Sequence, residues 1–212
     1  MRTQAQMLQI MRIFERENPH PQCELHFVNA YTLLVAVVLS AQSTDKGVNR
    51  ATEKLFEIAD TPQKMLALGE EKLKKHIQTI GLYNNKAKNI MELSRQILDR
   101  FDGEVPLNRD DLVSLAGVGR KTANVVLNVW CGEAAMAVDT HVMRIAHRLD
   151  FSNGKTPLEI ENDLVEALPP EIIKNTNHWL VLFGRYICKA QKPLCEKCPV
   201  YDFCNSQDKR LK

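Results

Sequence analysis

Apolar residues recur with helical spacing along almost the whole chain, and runs that alternate between apolar and polar residues are nearly absent. Residues 1–16 place Met7, Met11 and Phe14 on one face, which is typical of a helix with one buried side. Residues 31–41 are apolar on nearly every side and are too long for a typical strand, so they predict a central core helix. The pattern as a whole predicts an all-α protein of roughly ten or more helices.

Glycine, proline and capping residues indicate where the helices begin and end. Gly81 should end one helix, because glycine readily adopts the left-handed conformation found after a helix C-terminus. Asn84 or Asn85 can then cap the next helix. Beyond the first two, we expect helices over residues 45–58, 70–80, 84–100, 107–115, 120–131, 139–149, 157–168 and 171–190, with a short one opening at Thr61-Pro62.

The charge of the chain is close to balanced, with a formal net charge of +2 at pH 7. Its distribution is uneven, because residues 174–212 contain eight Lys and Arg side chains against three Asp and Glu. Such a basic end can face a polyanion, and on charge alone it can equally be a solvated tail. The hydrophobic content of 44% argues against a disordered chain.

Neither a membrane span nor a secretory signal is predicted. The longest unbroken apolar run, Leu33–Leu39, falls far short of the roughly 20 residues that cross a bilayer. The N-terminal residues include Arg2 and Arg12 but no apolar signal segment with a small-residue cleavage site. We therefore expect a cytoplasmic protein without a membrane partner. In that reducing compartment cysteines are more often ligands or free thiols than disulfides.

Two glycines lie between two predicted helices, where Gly117, Val118 and Gly119 form a turn and Arg120 follows. The backbone N–H groups of such a turn, together with the N-terminus of the next helix, can hold a phosphate. A glycine pair between helices is also consistent with a tight corner that needs glycine for steric reasons. The flanking apolar anchors and the basic residues after the glycines favour phosphate binding. The stretch resembles a helix-hairpin-helix motif, which binds the DNA backbone without reading its sequence.

Four of the six cysteines are concentrated near the C-terminus, at Cys188, Cys195, Cys198 and Cys204. Thiolates at this density can surround a [4Fe–4S] cluster or a tetrahedral zinc ion. Zinc sites usually pair two closely spaced cysteine knuckles, and the wider first and last gaps here suit a cubane cluster better. We expect the other two cysteines, Cys23 and Cys131, to be ordinary packing residues.

Together these motifs resemble the endonuclease III family of bifunctional DNA glycosylases and AP lyases. The resemblance covers nearly the whole chain and includes residues 33–45, 81–86 and 138–144 as well as the hairpin and the cysteines. It implies a two-lobed helix-hairpin-helix DNA glycosylase fold with a C-terminal [4Fe–4S] cluster loop. The expected domains are a six-helix domain over 23–134 and a discontinuous cluster domain over 1–22 plus 135–212. The implied partner is double-stranded DNA containing a damaged base or an abasic site, bound by a monomer.

The same resemblance assigns roles to individual residues. Lys121 matches the family's nucleophile and Asp139 its essential aspartate, for excision of oxidised pyrimidines and strand cleavage through a lysine Schiff base. Taken alone, Lys121 is also consistent with a phosphate contact and Asp139 with a helix N-cap. Beyond the hairpin glycines, Val118 and Arg120, the expected DNA contacts are Gln42, which fills the vacated base position, Leu82, which wedges into the opposite strand, and His141, Lys189 and Lys192. Leu82 can alternatively be an apolar capping contact after Gly81.

The residues also allow other functions. A monofunctional adenine glycosylase shares the hairpin and the cluster, but it typically lacks the lysine and carries an added C-terminal domain. A non-catalytic DNA-binding module and a ferredoxin-like carrier are further alternatives, and the lysine–aspartate pair argues against the first of these. No single residue in the sequence indicates which oxidised pyrimidine the protein prefers.

Overall fold

The computed structural model describes residues 1–210, so Lys212, counted above in the basic C-terminal segment, lies outside the described residues. Those residues form eleven α-helices and two short 3₁₀ turns and contain no strand, which confirms the all-α prediction. The helices are α1 Gln4–Glu17, α2 Ala30–Ser40, α3 Asp45–Ile58, α4 Pro62–Leu68, α5 Glu70–Ile77, α6 Tyr83–Phe101, α7 Arg109–Val113, α8 Arg120–Cys131, α9 Thr140–Arg148, α10 Pro157–Ala167 and α11 Pro170–Tyr186. The 3₁₀ turns are Cys195–Lys197 and Tyr201–Phe203. Within residues 1–210, no helix combines the length and apolar character that a bilayer crossing needs.

The chain divides into two compact units, of which the first is Cys23–Gly132. Its centre is α2, in which every residue from Tyr31 to Leu39 is buried, as the all-round apolar pattern predicts. Helices α3, α6 and α8 pack against α2. The unit holds seven helices, and Gly69, with φ of +82°, separates α4 from α5.

The turn between α5 and α6 differs from the sequence prediction. Helix α5 ends at Ile77 instead of Ile80, and the Ile80 N–H donates to the Ile77 carbonyl in a single turn. The left-handed residue is Leu82, with φ of +60°, and the expectation that Gly81 takes this conformation is wrong. Leu82 is also the N-cap of α6, because its carbonyl accepts the first helical hydrogen bond from the Lys86 N–H at 3.1 Å. The predicted caps Asn84 and Asn85 therefore lie inside the helix.

The second unit combines Met1–Gln22 with the segment that begins at Glu133. Helix α1 packs on α11, and the rings of Phe14 and Phe183 approach to 4.9 Å between centroids. Arg2 ties the N-terminal segment to the end of α9, because its backbone N–H donates to the Asp150 carbonyl at 2.9 Å and its Nε to the Leu149 carbonyl at 2.8 Å. The unit is discontinuous because α1 completes a core that helices α9–α11 begin.

Candidate active site

The hairpin between α7 and α8 owes its shape to its apolar anchors and its first glycine. Leu115 and Val118 are both buried, which turns the apolar residues of the loop inward. Gly117 has φ of +75°, and a Cβ at this position would lie 2.8 Å from the side chain of Asn89. Both the backbone conformation and the close approach therefore require glycine. The hypothesis that a tight corner needs glycine for steric reasons is therefore correct at Gly117.

The second glycine meets neither constraint. Gly119 has φ of −95°, and no atom lies within 4 Å of a Cβ built there. It is the N-cap of α8 and has no side chain to cap the first N–H groups of the helix, and the first turn contains no acidic residue. Uncapped N–H groups at the positive end of a helix form an anion site when they face open space. Gly119 thus leaves an approach through which a phosphate can reach the α8 N-terminus.

Helix α6 supports the hairpin from behind. The Ala116 N–H donates to Gln96 Oε1 at 2.8 Å, and Arg100 Nη2 donates to Ser114 Oγ at 2.8 Å. Gly117 packs against Asn89 of the same helix. The loop is therefore held at several points by one rigid element, which preorganises it for a ligand.

The two predicted catalytic residues occupy the first turns of different helices. Lys121 is exposed at the second position of α8, directly after the hairpin, and belongs to the unit Cys23–Gly132. Asp139 belongs to the other unit and caps α9, where its Oδ1 accepts from the N–H groups of His141 and Val142 at 2.8 Å each. The prediction that Asp139 is a helix N-cap is therefore confirmed. Its side chain is half-buried, and both hydrogen bonds of the cap go to Oδ1, so neither uses the second oxygen, Oδ2.

His141 is engaged within its own unit. Its ring Nδ1 lies 3.2 Å from Arg144 Nη2, and its Cβ lies 3.0 Å from the position that a Cβ of Gly184 would occupy. Arg144 also donates to the Gly184 carbonyl at 2.8 Å. This network fixes the imidazole against α11, and contact of His141 with DNA stays a prediction.

The two residues expected to probe the base stack share an uncommon backbone conformation. Gln42, in the loop between α2 and α3, has φ of +55°, and Leu82 has φ of +60°. A left-handed conformation costs a non-glycine residue about 1–2 kcal/mol. Both side chains are exposed, Leu82 to 60%, so the alternative in which Leu82 is an apolar capping contact is not what the structure shows. Backbone strain at exposed residues marks them as functional candidates.

The four C-terminal cysteines lie together in the second unit. All four are half-buried and line one small, largely apolar cavity. Their surroundings suit a thiolate-bound centre, because Arg148 Nη1 lies 3.3 Å from Cys188 Sγ and the Arg210 N–H lies 3.5 Å from Cys195 Sγ. Within residues 1–210, no group of three or more His, Cys, Asp or Glu side chains has the spacing that would hold a single metal ion.

Burial controls the protonation of two of these thiols. It raises the pKa of Cys198 to about 11 and also raises the pKa of Cys188. Thiols in this state are protonated at neutral pH, so the binding of a metal centre must displace their protons.

Of the remaining cysteines, Cys23 is half-buried and Cys131 is exposed, so the expectation that Cys131 is a packing residue is wrong.

Two family models match the chain. The model of the HhH-GPD superfamily base excision DNA repair protein matches residues 35–170, and the model of the iron–sulfur binding domain of endonuclease III matches residues 188–204. A curated endonuclease III from Haemophilus influenzae is 49% identical over 95% of this chain and 96% of its own length, and one from Rickettsia conorii is 51% identical over 95% and 97%. The chain belongs to the endonuclease III family.

Solved structures agree with this assignment. A trapped covalent intermediate of endonuclease III with DNA superposes with a TM-score of 0.92, at 46% identity and over 97% of both chains. A thermostable thymine-DNA glycosylase superposes with a TM-score of 0.81, at 25% identity and over 95% of both chains. The chain is therefore a base excision DNA glycosylase with AP lyase activity.

Membership of the endonuclease III family also decides between the two metals that the cysteine spacing allows. The model matching residues 188–204 describes an iron–sulfur binding domain, so the cofactor is a [4Fe–4S] cluster and zinc is excluded. The donor set fits that cofactor, because four thiols line one cavity whose walls include Leu149, Phe183 and Ile187.

Arg148 organises the cysteine segment, although no pattern in the sequence singles it out. Only 9% exposed, it donates from Nη1 to the Lys189 carbonyl at 2.7 Å and from Nη2 to the Ala190 carbonyl at 3.1 Å. Its Nη2 also donates to Asp208 Oδ2 at 2.8 Å. The predicted DNA contacts Lys189 and Lys192 are exposed on the loop that these bonds hold. Arginine near the end of α9 looks like an ordinary charged residue in sequence, since its partners lie 41, 42 and 60 residues further along the chain.

Proposed function

We propose that Lys121 is the nucleophile of this glycosylase and AP lyase. Its amine bonds to C1′ of the damaged nucleotide while the bond from C1′ to the base nitrogen breaks, and the base leaves with the bonding electrons and takes up a proton. Opening of the sugar ring then produces a Schiff base between Nζ and C1′. Loss of a proton from C2′ expels the 3′ phosphate and cuts the strand. The observation that carries this role is the position of Lys121. It is exposed and is the second residue of α8, whose N-terminus has no side-chain cap and directly follows the hairpin.

Asp139 assists the same reaction through the oxygen that the helix cap does not use. The two N–H donors fix Oδ1, so they orient the carboxylate without occupying Oδ2. A fixed negative charge stabilises the positive charge that develops at C1′ as the base departs. The same oxygen can accept a proton during formation of the Schiff base.

The proposed DNA contacts are the exposed residues with left-handed backbones, Gln42 and Leu82, and the anion site at the N-terminus of α8. Gly117, Val118, Gly119 and Arg120 present the α8 N-terminus to a phosphate of the damaged strand. Removal of a base from the stack leaves a gap, which Gln42 fills while Leu82 wedges into the opposite strand. Lys189, Lys192 and His141 add contacts to the backbone.

Cys188, Cys195, Cys198 and Cys204 are the ligands of the [4Fe–4S] cluster. When bound, the cluster cross-links four points of a short segment that contains few buried apolar side chains, and the excision reaction requires no electron from it. The substrate is duplex DNA that contains an oxidised pyrimidine or an abasic site, and the enzyme acts as a cytoplasmic monomer associated with the nucleoid. We assign 23–134 as the hairpin domain and 1–22 plus 135–212 as the cluster domain.

Borohydride trapping on a duplex with one abasic site tests the central assignment. Lys121→Ala should form no covalent complex but should still bind a duplex that contains a tetrahydrofuran site. Lys88→Ala, which removes another exposed helical lysine, should trap like the parent chain. Trapping of Lys121→Ala at the parent level contradicts the assignment. Assays run in EDTA should show nicking as well as base release, whereas release without nicking favours a monofunctional glycosylase.

A further inference from the structure

Lys86, in the first turn of α6, is a buried lysine that neither the hairpin nor the catalytic pair uses. Its side chain is 5% exposed, and its Nζ donates to the Leu39 carbonyl and to Ser43 Oγ at 2.9 Å each. Among the described residues no carboxylate pairs with it. Burial lowers the pKa of Lys86. Burial of an ammonium without an ion-pair partner costs free energy. A buried lysine of this kind is therefore a candidate for a specific role of its charge.

The acceptors of Lys86 place that charge at the end of α2. Leu39 lies in the last turn of α2, where free carbonyls and the helix dipole favour a cation. Ser43 lies in the loop that follows, one residue after Gln42. The two bonds therefore hold both sides of the short segment that presents Gln42.

The backbone of Lys86 is joined to the other strained loop. Its N–H donates to the Leu82 carbonyl at 3.1 Å, so Leu82 and Lys86 form the first turn of α6. The two loops are also neighbours, because a Cβ at Gly81 would lie 3.9 Å from the Gln42 carbonyl oxygen. One residue thus connects the segments that carry Gln42 and Leu82, two exposed residues with left-handed backbones.

We propose that Lys86 is a positioning residue for base extrusion, which holds the Gln42 and Leu82 loops at a fixed separation through its bonds to Leu39, Ser43 and Leu82. This inference rests on the proposed roles of Gln42 and Leu82 in the base stack. It places the effect of Lys86 before the chemical step, so its loss slows the opening of the duplex and spares the attack on C1′. The charge matters as well as the shape, because an ammonium holds the carbonyl and the hydroxyl together.

Extrusion can be measured without chemistry on a duplex that carries a tetrahydrofuran site with 2-aminopurine opposite it. The fluorescence of 2-aminopurine rises when the base is unstacked, and stopped flow gives the rate. Lys86→Met should slow this rise at least tenfold, and Lys86→Arg should recover most of the rate. The matched control is Lys88→Met, an exposed lysine on the same helix, which should extrude like the parent chain.

Chemistry is measured separately by borohydride trapping on a single-stranded abasic oligonucleotide, which has no opposite strand to wedge. Lys86→Met should trap within about twofold of the parent chain. A normal extrusion rate in Lys86→Met overturns the proposal, and so does an equal loss of extrusion and single-strand trapping. If Lys86→Met does not fold, Ser43→Ala decides, because it removes one acceptor and leaves the ammonium. A slowed fluorescence rise in Ser43→Ala supports the proposal and a parent rate overturns it.

Failure of the underlying roles has a different signature. Gln42→Ala and Leu82→Ala should each slow the fluorescence rise. If both extrude at the parent rate while Lys86→Met is slow, Gln42 and Leu82 are misassigned and Lys86 acts on extrusion through another contact. If both are slow and Lys86→Met is normal, the roles of the two loops stand and the role of Lys86 is wrong.

Discussion

Arg148 donates from Nη1 to the sulfur of Cys188 across a distance of 3.3 Å. The same guanidinium holds the carbonyls of Lys189 and Ala190, so one buried side chain joins the end of α9 to the start of the cysteine segment. Arg148 therefore positions the first cluster ligand through its sulfur and through the two carbonyls that follow it. The arrangement explains how a segment with few buried apolar residues keeps a defined path next to the helical core.

Replacement of Arg148 by leucine should loosen the cysteine segment. Hydrogen bonds to a charged group contribute about 1.5–3 kcal/mol, and the substitution also removes the donors that hold the Lys189 and Ala190 carbonyls. We expect a loss of about 3 kcal/mol in the free energy of unfolding and faster decay of the visible absorbance of the iron–sulfur cluster. Asp208→Asn is the control, because Asp208 is 63% exposed and a surface ion pair contributes at most about 1 kcal/mol. Equal stability of Arg148→Leu and the parent chain contradicts this role.

Asp139 serves both as a helix cap and as a proposed catalytic group, and two substitutions separate these functions. Asp139→Asn keeps a good N-cap but removes the carboxylate, so stability should change little while base release falls at least about 100-fold. Asp139→Ala should show the same catalytic loss and also lose about 1 kcal/mol of stability. Single-turnover base release and denaturant unfolding provide the two measurements. If Asp139→Asn releases the base at the parent rate, Asp139 has no catalytic role and acts only as a helix cap.

The two hairpin glycines should respond differently to alanine. Gly117→Ala meets a left-handed backbone and the side chain of Asn89, so it should lower the free energy of unfolding by about 1–2 kcal/mol. Gly119→Ala has space and an ordinary φ, so it should cost less than about 1 kcal/mol. Its methyl group faces the open approach to α8, and DNA affinity should fall more than stability does. The opposite ranking in stability is inconsistent with this geometry.

His178 should make the protein less stable in mild acid. Burial lowers the pKa of His178 below its ordinary value of 6.5, so the unfolded chain takes up a proton more readily than the folded chain does. The contribution is fully present above pH 6.5 and is lost as the pH falls through the window between 6.5 and the lowered value. Denaturant unfolding between pH 5 and 7.5 should show a steeper loss for the parent chain than for His178→Gln. His20→Gln, at an exposed position, should follow the parent chain.

The exposed lysines of the cluster loop should account for part of the salt dependence of DNA binding. Each phosphate contact contributes about 0.9 to the slope of log affinity against log salt concentration. Lys189→Gln combined with Lys192→Gln should therefore flatten the slope by about 1–2, measured by fluorescence anisotropy with an undamaged duplex. Lys88→Gln serves as the control. An unchanged slope in the double variant places the path of DNA elsewhere on the protein.

Much of the fold could be predicted from local sequence. Helices α3 and α8 lie where the pattern predicts them, because a helix depends on apolar spacing and on caps within a few residues. The turn before α6 could not be predicted in this way. Leu82 takes the left-handed conformation in place of Gly81 although glycine has the lower conformational cost. The nearby contacts of Lys86 with α2 offer the physical reason, since they fix the start of α6 from a distant part of the chain.

The sequence by itself determined the helical class, the four cysteines, the hairpin and the positions of Lys121 and Asp139 along the chain. These features depend on residue type and short spacing. Only the tertiary structure decided that Arg148 holds the cysteine segment, that Asp139 uses one oxygen as a cap, and that Lys86 lies buried between two strained loops. Each is a contact between groups whose meeting depends on how helices pack, and a lysine or arginine that is buried and bonded looks in sequence like one in solvent.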